Sequence, residues 1–367
     1  MLTDIRFIPL LLLLIQSVFA VVPVSAPVLA GHVPSRRLIE NVLPQADQTH
    51  EVLKVPNSNI VLISQMSNSV LVKARVDNAG VILESAAFQM GQSTSALHGL
   101  ANSQAYPGKV WLTLQNDNKL VLIDPNVRSF RSAPRVLREI LVPSPGKGPH
   151  YIGEYGNELW VTLQDSSDVL RINHKNPSDY SIYGGLPRPI FVAQHPINRL
   201  FYTGQDNSNS IMKIDPTAGT TTQIPIPSSV GQTPVGMISG PQGVWFTLLG
   251  DSTQGTGTIG HIGADGNVNY HKLKSPLGKD AALLHLAFST TAATDHKLWL
   301  LSSSIINDNA LDSVIKVTFD AQWSSIQSEE VIVMPTQRSK AHRIVLTPRY
   351  VFATELASSR LLTTYIA

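Results

Sequence analysis

The chain has 367 residues, 43% of them hydrophobic and 15% charged, with 28 Lys+Arg against 26 Asp+Glu and no cysteine. The missing cysteine excludes disulfides, thiol nucleophiles, thiolate zinc sites and iron–sulfur clusters, and a net charge of +2 without basic blocks leaves no electrostatic footprint for nucleic acid. Plentiful Val, Ile and Leu with little charge argue for a folded, strand-rich chain of one large domain or two ordinary ones.

Phe7 to Val22 form a charge-free, mainly apolar run, broken only by Gln16 and Ser17, after Asp4 and Arg6. The run is shorter than the roughly 20 residues a spanning helix needs. Small residues at Val18-Phe19-Ala20 and Val24-Ser25-Ala26 suit signal-peptide cleavage. Residues 1–26 are therefore expected to be a secretory signal, cleaved between 20 and 30, ahead of a single domain over 31–367. The weakly positive start keeps an uncleaved anchor as the alternative. The expected protein is a monomer that is secreted or enters the secretory pathway and has no stable membrane span.

Beyond the leader, Arg36–Leu43 reads as a strand, and a short phrase then recurs roughly every 40 to 57 residues. A strand follows a Gly/Pro/Ser-rich turn, and some ten residues later comes a second, often aromatic strand. In chain order these second strands are Val61-Leu-Ile-Ser64, Trp111-Leu-Thr-Leu114, Trp160-Val-Thr-Leu163, Phe201-Tyr-Thr-Gly204, Trp245-Phe-Thr-Leu248, Trp299-Leu-Leu-Ser302 and Phe352-Ala-Thr-Glu355. Third strands include Lys119–Asp124 and Ile211–Asp215, and fourth strands Glu139–Pro143 and Thr222–Ile226. Four short strands per unit predict an all-β, seven-bladed β-propeller of four-stranded blades, with six blades as the alternative. The seventh unit ends after about three strands. Arg36–Leu43 is expected to supply the fourth and close the ring, leaving no long free edge.

The first strand of each unit is expected to line the central channel. Histidine recurs near its start as His50, His98, His150, His285 and His342, five of the chain's eleven. Equivalent residues of a propeller form a ring, so these five are expected to converge at one mouth as acid/base groups, hydrogen-bond donors or metal ligands. The alternative is that each ring bonds a neighbouring backbone carbonyl and tightens the fold. First and second strands run antiparallel, so the start of one lies beside the end of the other. His342 is thus expected to neighbour Glu355, His150 to neighbour Gln164, and His98 to neighbour Gln115, with Gln205 at the matching place in unit four. Glu355 then either orients His342 as a base or is a surface charge. Glu51, Glu154, Asp280, Lys340 and Arg343 are further candidates for the same rim, and Tyr151 follows His150 directly.

Pro149-His150-x-Ile152, Trp245-Phe-Thr and Phe352-Ala-Thr-Glu355 resemble the repeat of the streptogramin B lyases, the virginiamycin B lyase family. The resemblance implies a seven-bladed propeller that opens a cyclic depsipeptide by elimination. It implies catalytic roles for His342 and Glu355, with His285 of the preceding blade, and magnesium nearby. Lys340 stands where the family carries a further acid, so the expected cofactor set is none, with magnesium implied only by the resemblance. A fungal branch, with the Malassezia propeller allergen and the propeller encoded in trichothecene toxin clusters, is also similar. It implies a role in mycotoxin biosynthesis and virulence. The expected chemistry is non-redox: elimination, dehydration or ring closure of a small terpenoid-like metabolite. His50, His98, His150, Gln115, Gln164, Gln205 and Tyr151 are the expected substrate-binding groups. No dinucleotide fingerprint or phosphate-binding loop suggests otherwise. The alternatives are a non-catalytic propeller that binds a metabolite or a host partner, and a streptogramin-type lyase.

Overall fold

The short apolar segments pair with their neighbours in sequence, as strands joined by tight turns must. The computed structural model describes residues 38–366 apart from 44–45, 127–128, 186, 206–207 and 290. The expected signal segment, and Arg36 and Arg37 of the expected first strand, lie outside the described residues. Seven four-stranded antiparallel sheets result. They form the seven blades of a β-propeller, and the six-bladed alternative falls. The only helix among the described residues is the single turn Ala292–Asp295. No helix among them is long and apolar enough to cross a membrane.

The first strand of each sheet lies innermost and touches its counterparts in the adjacent blades. These inner strands are Thr49–Lys54 (blade I), Leu97–Asn102 (II), Pro149–Tyr155 (III), Pro189–Gln194 (IV), Pro234–Gly240 (V), Leu283–Phe288 (VI) and Ala341–Leu346 (VII). Blade VII takes its outermost strand from the other end of the chain. Leu38–Val42 runs antiparallel to Arg360–Tyr365, with Leu38 opposite Thr364 and Val42 opposite Arg360. Glu40 anchors that strand, accepting from the Thr336 backbone N–H and hydroxyl at 2.7 Å each and from Arg360 at 2.9 Å.

The recurring aromatic-x-Thr phrase is an inter-blade fastener. Side chains of a strand alternate between its two faces. Trp111, Trp160, Trp245, Trp299 and Phe352 all turn toward the next blade, where they are fully buried. Trp160 stacks on Phe201 of blade IV at 3.5 Å. An aromatic of this size removes roughly 150–250 Å² from water, a gross gain of about 4–6 kcal/mol at about 25 cal/mol per Å². In four of the five, all but Trp299, a Thr two residues on shares that face. Thr113 accepts from Gly99 N–H (2.8 Å) and donates to the His150 carbonyl of blade III (3.2 Å). Ser64, Thr162 and Thr354 repeat the relay onto the carbonyls of His98, Ile190 and His50.

Candidate functional site

Every inner strand carries a one-residue bulge near its start. Two successive residues there face the axis and build two stacked layers. Register fixes the outer layer as His50, His98, His150, Ile190, Val235, Leu284 and His342. The inner layer is Glu51, Gly99, Tyr151, Phe191, Gly236, His285 and Arg343. His285 therefore stands one layer deeper than the other four histidines. The extra residue of the blade VI bulge puts Leu284 at their level, which the pattern Leu284-His285-Leu286 does not reveal by eye.

The outer layer is two-sided. Blades VII, I, II and III supply an unbroken arc of imidazoles. Ring centroids are 3.9 Å apart for His342–His50, 3.7 Å for His50–His98 and 3.8 Å for His98–His150. His50 and His150 come from non-adjacent blades yet lie 6.0 Å apart, which places these rings on the axis. Blades IV, V and VI complete the circle with Ile190, Val235 and Leu284. All seven side chains are nearly buried.

Burial holds these imidazoles neutral. It is the largest influence on each, and the Arg343 guanidinium and neighbouring imidazoles add to it. His50, His150 and His342 sit well below the usual histidine range, and His98 is pushed down to about 3. Both ring nitrogens of His342 lack a hydrogen-bond partner, as do Nδ1 of His50 and Nδ1 of His150.

The inner layer closes the channel. Arg343 reaches from blade VII across the axis to the Phe191 ring of blade IV, 4.5 Å from its centroid. Its Nε donates to Glu51 Oε2 at 3.0 Å. Tyr151 and His285 flank Phe191 at 5.2 and 5.1 Å. His285 Nδ1 accepts from the Ile344 backbone at 3.4 Å, so it is partly spent on tightening the ring.

Glu355 is fully buried, not a surface charge. It lies opposite Ala341, so its backbone does flank the start of the His342 strand. By alternation its side chain shares the blade VI face with Val351 and Ala353. Ser358 donates to its Oε2, its Oε1 has no partner, and no hydrogen bond joins it to His342. Desolvation pushes its carboxyl up to about 8, so it is largely protonated at neutral pH. Gln205 occupies the same register position in blade IV and is bonded to Ser208, Ser210 and Gln223 rather than turned to the axis. Gln115 and Gln164 meet each other across blades II and III at 3.5 Å.

Of the further charges expected at the rim, Glu51 and Arg343 reach the axis. Glu154 sits at the far end of its strand, 3.0 Å from His174. Asp280 is exposed in the loop before blade VI, its carboxylate 3.9 Å from Lys279. Lys340 lies in the turn that precedes the blade VII inner strand. Magnesium, implied by the resemblance, does not fit this donor set. Hard cations need several oxygens, while Glu51 is engaged by Arg343 and Glu355 is turned away. Sequence inspection missed the aliphatic arc and the Arg343–Phe191 plug. The residue after each aligned histidine position was the available signal.

The molecule is thus a propeller with a closed channel and a histidine-rich mouth at one end. No family model and no curated protein sequence matches the chain. Its fold is similar to that of virginiamycin B lyase from Staphylococcus aureus, solved as an inactive variant with quinupristin: TM-score 0.69, 17% identity, 91% of this chain and 100% of that one covered. A streptogramin B lyase structure superposes with TM-score 0.67 at 18% identity, over 89% and 97% of the two chains. YCF48 bound to the D1 peptide shares the architecture at TM-score 0.61 and 14% identity, over 91% and 96%. At these identities the likeness is one of fold.

Proposed function

We propose that the chain is a propeller enzyme performing non-redox elimination or ring closure on a small, hydroxylated, terpenoid-like metabolite. The observation that carries this reading is the two-sided mouth. An arc of four neutral imidazoles faces an arc of Ile190, Val235 and Leu284. A rigid hydrocarbon skeleton oxygenated on one edge matches both arcs, since apolar pockets with few convergent polar groups fix a ligand's orientation. His342, with both nitrogens free, is the proposed base; His50, His98 and His150 bind hydroxyls or a departing oxygen. Arg343 and Phe191 form the floor and limit access by water. Glu355 stands behind the His342 strand and does not touch the imidazole. The resemblance to the fungal branch supports placing this chemistry in trichothecene-like mycotoxin biosynthesis and in virulence. The apolar leader supports entry into the secretory pathway.

A second reading is supported by the same burial. Imidazoles held this far below their usual range are weak bases, and no carboxylate orients any of them. That suits a propeller that binds the metabolite without converting it. Deleting the gene in its native producer and profiling metabolites separates the two. The enzyme reading expects one hydroxylated precursor to accumulate, conversion of it by the purified protein, and loss of turnover by at least ~100-fold in His342→Ala with the melting temperature retained. Saturable binding of that precursor without conversion establishes the binding reading. Neither accumulation nor binding sinks both.

A further inference from the structure

We infer that the histidine arc is a site for a borderline divalent transition metal, zinc(II) foremost, held by His50, His98 and His150. One ligating nitrogen from each of these rings lies within 4.8 Å of those of the other two, and all three side chains are buried. Among the described residues no other group of three or more metal-ligating side chains converges in this way. Imidazole is the preferred neutral ligand for zinc, copper and nickel, while hard cations prefer oxygen. Tetrahedral zinc with bonds of roughly 2.0–2.1 Å sets its ligand nitrogens about 3.4 Å apart. The three nitrogens lie within 4.8 Å of one another, so ligation requires the rings to turn toward a common centre.

The surroundings favour ligation. His50 Nδ1 and His150 Nδ1 are buried without partners, a costly state that a bound ion relieves. The His98 ring is bonded to the His150 backbone, which fixes its orientation as an outer-shell partner does in metal sites. The backbone of every ligand is itself pinned, because Ser64, Thr113 and Thr354 donate to the carbonyls of His98, His150 and His50. The nearby cation, Arg343, lies in the layer beneath and is compensated by Glu51 at 3.0 Å. Three imidazoles would leave the fourth position of a tetrahedral ion unfilled by them, the arrangement of sites that act on a ligand rather than only staple a fold. The inference does not need the catalytic reading, since a metabolite-binding propeller could hold the same ion; with the ion in place, the oxygens that the proposed function assigns to these three rings would meet the ion instead.

The test uses the purified full domain, stripped with chelator, and zinc(II) or cobalt(II) alone without any metabolite. Calorimetry is expected to show one zinc per chain, and cobalt to give the visible d–d bands of a tetrahedral nitrogen site. His98→Ala and His150→Gln, each checked for an unchanged circular dichroism spectrum, are expected to weaken binding by more than ~10-fold, because even outer-shell partners are worth that much. His296→Asn, remote in blade VI, should bind as the parent does. No stoichiometric binding, or binding that both ring variants retain, overturns the inference. Because no substrate is present, that outcome leaves the proposed chemistry to be judged separately.

Discussion

Glu355 shows what a single buried group does to the pH response. Its folded carboxyl titrates near 8 against an ordinary value of 4.5, mainly through desolvation. Between those values the folded chain holds a proton that the unfolded chain has released. The protonated form's contribution is complete below pH 4.5 and is lost as pH rises through 8, on the order of a few kcal/mol. Glu355→Gln removes this titration, and glutamine stands at the same register position in blades I and IV as Gln65 and Gln205. The variant is expected to melt higher than the parent at pH 8.5 and to have a flatter stability profile between pH 5 and 8. Denaturant melts across that range check it, and parallel profiles for the two proteins would refute it.

Among elements, the second strands explain both what the sequence disclosed and what it hid. Their near-continuous apolar runs and regular spacing revealed seven four-stranded blades, because a strand buried on both faces between two neighbours demands such a run. The Trp-x-Thr phrase looked like a trace of catalytic ancestry. It is better explained as architecture: the aromatic packs on the next blade and the hydroxyl bonds that blade's inner strand. Strand adjacency also placed Glu355 beside the start of the His342 strand, but spacing alone does not say which face a side chain takes. His285 slipped a layer for a similar reason, since a bulge moves one residue without any mark in composition. Thr113→Val tests the fastener. It leaves Gly99 N–H without its acceptor inside the ring, at a cost of about 1–3 kcal/mol. Guanidinium unfolding midpoints should fall accordingly, and an unchanged midpoint would show that the relay is dispensable.

The whole molecule holds together without cysteine because its two ends meet in one sheet. Leu38 lies opposite Thr364, so a short turn can join residue 366 to residue 38 as an ordinary hairpin. A permutant joined there and reopened between the exposed Ser228 and Ser229 keeps every blade intact, the Leu38–Val42 strand included, but no blade is then shared between the two ends of the chain. It is expected to fold and to melt several degrees below the parent, since only packing between blades IV and V then closes the circle. Equal or higher melting would mean that the closing strand is not the fastener.

The span of Arg343 onto Phe191 also governs traffic. With the axis blocked one layer below the histidines, the propeller has one door and no corridor. Whatever enters by the mouth must leave by it, so departure of one occupant precedes arrival of the next. Exchange at the site therefore runs through that one mouth, and Arg343→Ala, which shortens the side chain lying across the tunnel, is expected to speed the release of a bound occupant.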